Sequence, residues 1–173
     1  MMTIQIDSRE QKNDHVTAYF EAVGVKYITS KMYVGDYQNL TDASICIDKK
    51  YGLQEVYSCL TSGYNRFAAE CKRAKDAGIK LIVLIEENDI TDVFQVESWK
   101  NPRIEKWNRI NAQHKIGKAL DVKIASEPPI SSKRLQDRMT TLSKRTGVKW
   151  QFCRKEDTGK TILQILGYED KLC

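Results

Sequence analysis

Histidine is nearly missing from this 173-residue chain, which holds only His15 and His114. That excludes a histidine-rich metal centre and disfavours a histidine-based catalytic triad. Proline is scarce, at three residues. The five cysteines (Cys46, Cys59, Cys71, Cys153, Cys173) are odd in number, scattered and without a C-x-x-C pair. This argues against both a disulfide framework and a zinc ribbon, and for reduced thiols, several of them buried. No apolar run approaches the roughly 20 residues of a membrane span. The start, Met1 to Asp7, alternates in polarity and has no basic region, unlike a signal peptide. The expectation is a soluble, cytoplasmic protein with no membrane partner, and a length that suits one domain around one core.

What is present is charge, unevenly placed. The net charge is +5, and the segment from Ser98 to Lys118 carries six cations (Lys100, Arg103, Lys106, Arg109, Lys115, Lys118) against Glu105 alone. The whole positive excess is therefore local. Trp99 and Trp107 are interleaved with these cations. Cations on phosphates give sequence-independent affinity and exposed indoles stack on unpaired bases, so the segment is a DNA-binding candidate. Tryptophans anchored in a core beside a solvated basic face would have the same sequence.

Periodicity outlines an α/β chain. Thr3 to Asp7 alternates as a first strand, and Val16, Tyr19, Phe20 and Val23 mark an amphipathic helix closed by Gly24. Val25 to Lys31 predicts a second strand, and Met32 to Tyr37 predicts its continuation through a kink at Gly35. After a turn at Asn39 to Ala43, Ser44 to Lys50 is strand. Helix follows over Leu53 to Leu60 and Asn65 to Ala77, bounded by Gly63 and Gly78. Lys80 to Ile85 is the most apolar run, as for a strand covered on both faces. A short helix is expected over Asp89 to Glu97, while Ser98 to Lys118 shows little clean period. Asp121 to Ala125 predicts a short strand. A helix capped by Ser131 or Ser132 should run to Arg145 and stop at Gly147, before a last strand over Val148 to Cys153 and a helix over Thr161 to Leu166. Strands alternating with helices imply a mixed sheet.

The chemistry centres on Val34-Gly35-Asp36-Tyr37 and Ile45-Cys46-Ile47-Asp48-Lys49-Lys50. An acid, any residue, then lysine occurs five times in the chain, at Glu10, Asp48, Glu70, Asp121 and Glu169. Only Asp48–Lys50 follows an apolar strand and trails a second acid, Asp36, across one hairpin. Period two puts Asp48 and Lys50 on one face. Two carboxylates suffice for Mg2+, which keeps several waters. Lys50 could then orient or deprotonate an attacking water, the latter if its pKa is depressed. A surface hairpin with charged ends has the same spacing. Thr158-Gly159-Lys160-Thr161 imitates a phosphate loop, but that motif needs glycine where Arg154 stands, so no nucleotide cofactor is expected.

Taken in order, Ile6-Asp7-Ser8-Arg9-Glu10, Val34-Gly35-Asp36-Tyr37, Ile47-Asp48-Lys49-Lys50, Gly63 with Arg66-Phe67, and Leu81 to Glu86 resemble the nuclease domain of the XPF-type (ERCC4-domain) structure-specific endonucleases of the PD-(D/E)XK superfamily. The run Phe152-Cys153-Arg154-Lys155 with Thr158-Gly159 resembles short stand-alone phage members. The family pattern is Gly-Asp, a spacer, Glu-Arg-Lys, three residues and Asp. Here Asp48 stands for Glu, Lys49 for Arg, and Gln54 for the final acid, with Glu55 one place later.

The resemblance implies a restriction-endonuclease-like three-layer fold, a central mixed sheet flanked by helices, as one nuclease domain over 1–173 with a basic insertion at 98–130. It implies Asp36, Asp48 and Lys50 as catalytic, with Arg9 and Glu10 beside them. Mg2+ or Mn2+ would be held by Asp36, Asp48 and the Lys49 backbone carbonyl, with Asp7 and Glu10 as further candidates. DNA would be met by Arg66, Lys100, Arg103, Lys106 and Arg109. The implied activity is hydrolysis of branched DNA (junction, fork or flap), in the setting of recombination or repair, and homodimers occur in the family. No paired Gly-apolar-Gly turns of a helix-hairpin-helix module follow Glu127. The second hypothesis is a non-catalytic DNA-binding or scaffold subunit that keeps the fold.

Overall fold

The computed structural model describes residues 2–115 and 127–168. Strand β1 (Thr3–Asp7) buries Ile4 and Ile6 on one face, as its alternation requires, and helix α1 (Asp14–Ala22) lays Val16 and Phe20 against them. Strand β2 (Lys26–Ser30) follows, then β3 (Tyr37–Asn39) and β4 (Asp42–Lys50). Helices α2 (Leu53–Cys59) and α3 (Tyr64–Asp76) lead to β5 (Lys80–Glu86). A 3-10 turn at Val93–Ser98 precedes α4 (Pro102–Lys115), and α5 (Ser132–Thr146), β6 (Lys149–Cys153) and α6 (Thr158–Ile165) complete the described chain.

The six strands form one mixed sheet in the order β2-β1-β3-β4-β5-β6. β3 is antiparallel to both neighbours, while β1 with β2, and β4 with β5 and β6, run parallel. The period-two rule sorts each strand between two cores. Ile4, Ile6, Ile47 and Leu84 pack with α1 and α6. Cys46, Leu81, Val83 and Ile85 pack on the opposite face with α2, α3 and α5. This is the expected three-layer architecture, helices on both faces of a mixed sheet. The unbroken apolar run of β5 is explained by its neighbours: lying between β4 and β6, it is buried from Leu81 to Glu86.

Three local expectations change. Met32 to Asp36 is not strand: Gly35 takes φ +65, and regular pairing resumes only at Tyr37. The hairpin turn is tighter than Asn39 to Ala43, because β4 already begins at Asp42. The basic segment is helical as α4, whose Ile104, Trp107 and Ile110 are half-buried at helical spacing. Trp99 packs against the α2–α3–α5 core. The strand expected over Asp121 to Ala125 lies outside the described residues.

The phosphate-loop imitation has a packing role. Gly159 lies so close to α1 that a Cβ there would meet Tyr19 Cβ at 2.7 Å. Thr158 donates to Glu86 Oε1 at 2.9 Å, and His15 Nε2 lies 2.6 Å from the same oxygen. Glu86 thus ties α1 and α6 to the end of β5. Among the described residues no helix is long and apolar enough to cross a membrane.

Candidate active site

The left-handed backbone at Gly35 turns the chain so that the next residue re-enters the sheet between β1 and β4. The Asp36 N–H donates to Ile47 O at 2.7 Å, and its carbonyl accepts from Asp7 N–H at 2.8 Å. Its side chain then takes the place of the next rung: Asp36 Oδ2 accepts from the Lys49 N–H at 2.8 Å. One carboxylate oxygen is thereby fixed by the backbone of the motif strand. The Gly35 N–H is held in turn by Glu70 Oε1 of α3 at 3.0 Å. Burial, and then the nearby Asp48 carboxylate, push the Asp36 pKa well above the usual carboxylate range.

Along β4 the side chains divide between faces. Asp48 and Lys50 point to the α2–α3 side and meet, Lys50 Nζ donating to Asp48 Oδ1 at 2.7 Å. Both are buried, and Asp48 Oδ2 has no hydrogen-bond partner among the described residues. Burial alone would lower the Lys50 pKa, but the carboxylates of Asp48 and Asp36 outweigh it and hold it above the usual lysine value. Lys50 in this arrangement is an ammonium, suited to orienting a water or an anionic oxygen and not to taking a proton. Glu55, in the first turn of α2, brings Oε1 to 3.8 Å from Lys50 Nζ, whereas Gln54 faces solvent.

Lys49 points the other way. Its buried Nζ lies 3.4 Å from Glu10 Oε1 and 3.8 Å from the centre of the Tyr51 ring, and donates to the Lys12 carbonyl at 3.2 Å. Tyr51 O–H donates to Glu10 at 2.8 Å. Glu10 therefore sits with Lys49 across the strand from the Asp48–Lys50 pair.

Asp7 is fully engaged. Its Oδ1 accepts from the Arg9 N–H and Nε, and its Oδ2 from Arg9 Nη2 and the Met32 N–H. The Arg9 side-chain hydrogen bond prevails over burial, which acts upward, and backbone donors from Arg9 and Met32 help it hold the Asp7 pKa down to about 2. A carboxylate depressed below its usual 3.8 contributes stability above that pH and loses it as pH falls toward about 2. Asp7→Asn should therefore cost about 2 kcal/mol at neutral pH, as expected for lost hydrogen bonds to a charged group. It should also flatten the loss of stability between pH 4 and 2. Urea denaturation at several pH values measures both, and an acid limb as steep as the wild type's would refute the assignment.

Asp36, Asp48 and Lys50 share a cleft of about 260 Å3 with Arg9, Arg66, Arg73, Glu70, Phe67 and Cys59. The side chains of Arg66 and Arg73 are exposed and make no hydrogen bond or ion pair among the described residues. Glu70 and Arg73 are additions to the expected set. They lie four and seven residues beyond Arg66, so the helical period of α3 already placed them on its face. None of Lys100, Arg103, Lys106 or Arg109 lines this cleft. Arg103 folds back onto α2, over the Tyr57 ring at 4.9 Å and donating to Ser58 Oγ at 2.8 Å.

A turn held by a glycine, an acid on its tip, and an acid and lysine on the adjoining strand reproduce the order of the ERCC4 pattern. The model of the ERCC4 domain matches residues 6–165. The chain belongs to that family. Two solved structures superimpose on this ERCC4 domain. XPF from Aeropyrum pernix in complex with DNA does so with TM-score 0.58 and 16% identity, over 96% of this chain and 64% of that one. XPF from Aeropyrum pernix gives TM-score 0.60 and 16% identity, over 95% and 63%. At that identity the likeness is one of fold, and the chain spans just under two thirds of their length. Among curated proteins no match is found.

The metal implied by the family can be tested against this ERCC4 domain's own atoms. The orphaned Asp48 Oδ2 is buried, hard and anionic, and faces a cleft shared with Asp36. A divalent cation would relieve the burial and mutual repulsion of the two carboxylates. No group of three histidine, cysteine or acidic residues is clustered for metal among the described residues. The protein's share would thus be small, as Mg2+ accepts by retaining water. The residues fit the ion.

Proposed function

We propose that the protein is a Mg2+- or Mn2+-dependent DNA endonuclease that hydrolyses phosphodiester bonds in branched DNA. The observation that carries this reading is the convergence of Asp36, the orphaned oxygen of Asp48 and the Lys50 ammonium in a cleft rimmed by arginines. Asp36 and Asp48 would hold the cation, which when bound supplies charge neutralisation at the phosphate and a more acidic water.

The chain's own residues do the rest. Arg66 and Arg73 bind flanking phosphates, and exposed cations there raise local DNA concentration. The Lys49 N–H holds Asp36 at a fixed orientation, so no reorganisation is needed when substrate arrives. Lys50 directs its N–H donors at an oxygen of the scissile phosphate or at the attacking water. Glu55 stands near Lys50 where the family pattern carries an acid one residue earlier.

Exposed Gln54 favours the alternative, a DNA-binding or scaffold subunit without catalysis. The two readings separate in one experiment. Labelled four-way junction, flap, fork and linear duplex are incubated with the purified protein in Mg2+, Mn2+ or EDTA. Metal-dependent cleavage of branched substrates over linear duplex is expected. Absence of cleavage on all of them leaves only the scaffold reading.

Metal binding has its own readout. Mn2+ should raise the melting temperature of the wild type, by RT ln(1 + [L]/Kd) in stability, and leave that of Asp36→Asn nearly unmoved. An equal rise in both would remove Asp36 from the metal site.

A further inference from the structure

We propose that the groove between α3 and α5 binds the DNA phosphate backbone outside the cutting site, an inference that rests on the nuclease reading for its ligand. The cleft uses Arg66, Phe67, Glu70 and Arg73 of α3, whereas Tyr64, Ala68, Lys72 and Lys75 face α5. At 3.6 residues per turn these two sets lie on opposite sides of the helix. The groove is thus separated from the cleft by about one helix diameter, ~10 Å. It comprises two adjoining hollows of about 580 and 380 Å3 that share Tyr64.

Helix α5 supplies the charge. Arg134, Arg138, Thr141 and Arg145 recur at i, i+4, i+7 and i+11, one stripe along its groove side, roughly 16 Å long at 1.5 Å per residue. Among the described residues no carboxylate forms an ion pair with these arginines. Arg138 donates to the Leu60 carbonyl and Arg145 to the Tyr64 hydroxyl, both uncharged acceptors. The Arg134 side chain is exposed and makes no hydrogen bond or ion pair among the described residues, its backbone N–H being held by Ser131 Oγ at the helix start. The two acids present are occupied elsewhere: Asp137 lies 3.7 Å from Lys133, and Asp76 accepts from Lys72.

Each arginine therefore keeps its full charge, and two are already oriented by neutral hydrogen bonds with further N–H groups to spare. A linear run of pre-positioned guanidinium groups matches a linear polyanion. A protein partner would call for large apolar anchors at the centre of the contact. Here the lining between the arginines is Ala68, Ala69, the hydroxyls of Thr61, Thr141 and Thr146, and Tyr64, whose hydroxyl accepts from Arg145, while Leu142 is buried. Among the described residues the α3–α5 groove holds a line of arginines along one helix face, two of them fixed on uncharged acceptors. A DNA arm leaving the cleft around the first turn of α3 enters it.

The test is binding of a labelled linear duplex in EDTA, where cleavage plays no part, as a function of NaCl. The probe variants are Arg134→Gln and Thr141→Glu, together and apart. Thr141→Glu sets a carboxylate between Arg138 and Arg145 at i−3 and i+4, a pairing that supports the helix. Loss of binding is thus not loss of fold, and circular-dichroism melts verify it. The double variant should bind at least about tenfold more weakly at ~0.1 M salt, with a salt slope shallower by about one to two. A folded double variant with wild-type affinity and slope overturns the proposal, as does a wild type whose duplex binding is independent of salt. Wild-type protein that binds through the groove but cuts no substrate in Mg2+ or Mn2+ would remove the nuclease reading alone.

Discussion

Asp48→Asn should lower single-turnover cleavage of the preferred branched substrate by at least about 10^3-fold, or ~4 kcal/mol of transition-state stabilisation. The expectation follows from the two oxygens of Asp48. One accepts from Lys50 at 2.7 Å and orients its ammonium, while the other is buried without a partner in the protein. An amide removes the anionic ligand and, in one of its two orientations, turns an N–H donor toward the Lys50 ammonium. Binding of the same DNA in EDTA should change little by comparison, so the loss lies in chemistry. Cleavage within tenfold of wild type would exclude Asp48 from the site.

Gly35→Ala should be the most damaging small substitution for the fold, costing about 3 kcal/mol or more. A residue with a side chain pays ~1–2 kcal/mol for the left-handed conformation that Gly35 holds at φ +65. Space is also lacking: a Cβ would stand 2.6 Å from Cys46 Sγ and 2.8 Å from Ile47 O. The second contact is backbone, and Ile47 O is the acceptor for the Asp36 N–H, so relief there displaces Asp36. Urea denaturation should show the loss, with a melting temperature lower by about 10 °C for a chain of this size. Adding Cys46→Ala should recover only part of it, because the carbonyl clash and the backbone strain remain. Wild-type stability for Gly35→Ala would show that the turn has another accessible geometry.

The fold was legible where burial imposes a period. Leu81 to Ile85 is apolar because both faces of β5 are covered, and Gly24, Gly78 and Gly147 end their helices in the left-handed region as expected. The approach to Asp36 was misleading for a physical reason. Met32 and Val34 are both buried, so the chain keeps a strand-like alternation while Gly35 turns it out of the ladder. Helix α4 was obscured by cations interrupting its half-buried positions at Ile104, Trp107 and Ile110.

The candidate site divides by range. Asp48 with Lys50, and Asp7 with Arg9, are two residues apart, and such neighbours can be read from period two or a local turn. The Glu70 contact with the Gly35 amide spans 35 residues and exists only once α3 is packed on the sheet. Separation of Glu10 and Lys49 from Asp48 and Lys50 follows from strand alternation for Lys49. For Glu10 it depends on where the loop after β1 settles, which no local pattern encodes. The four cations around α4 are conspicuous by density, and the structure adds only that they lie away from the cleft and that Arg103 rests on Tyr57 and Ser58.

If the cleft holds the proposed cation, the Lys50–Asp48 pair bears on whether folding has to wait for it. Zinc fingers cannot fold until their metal arrives, because the ligands have no other role to satisfy. Here the motif strand carries its own counterion, the Lys50 ammonium on Asp48. On the proposed nuclease reading, folding would then precede uptake of Mg2+. Chelation should then silence the protein reversibly, with no refolding step on return of the ion.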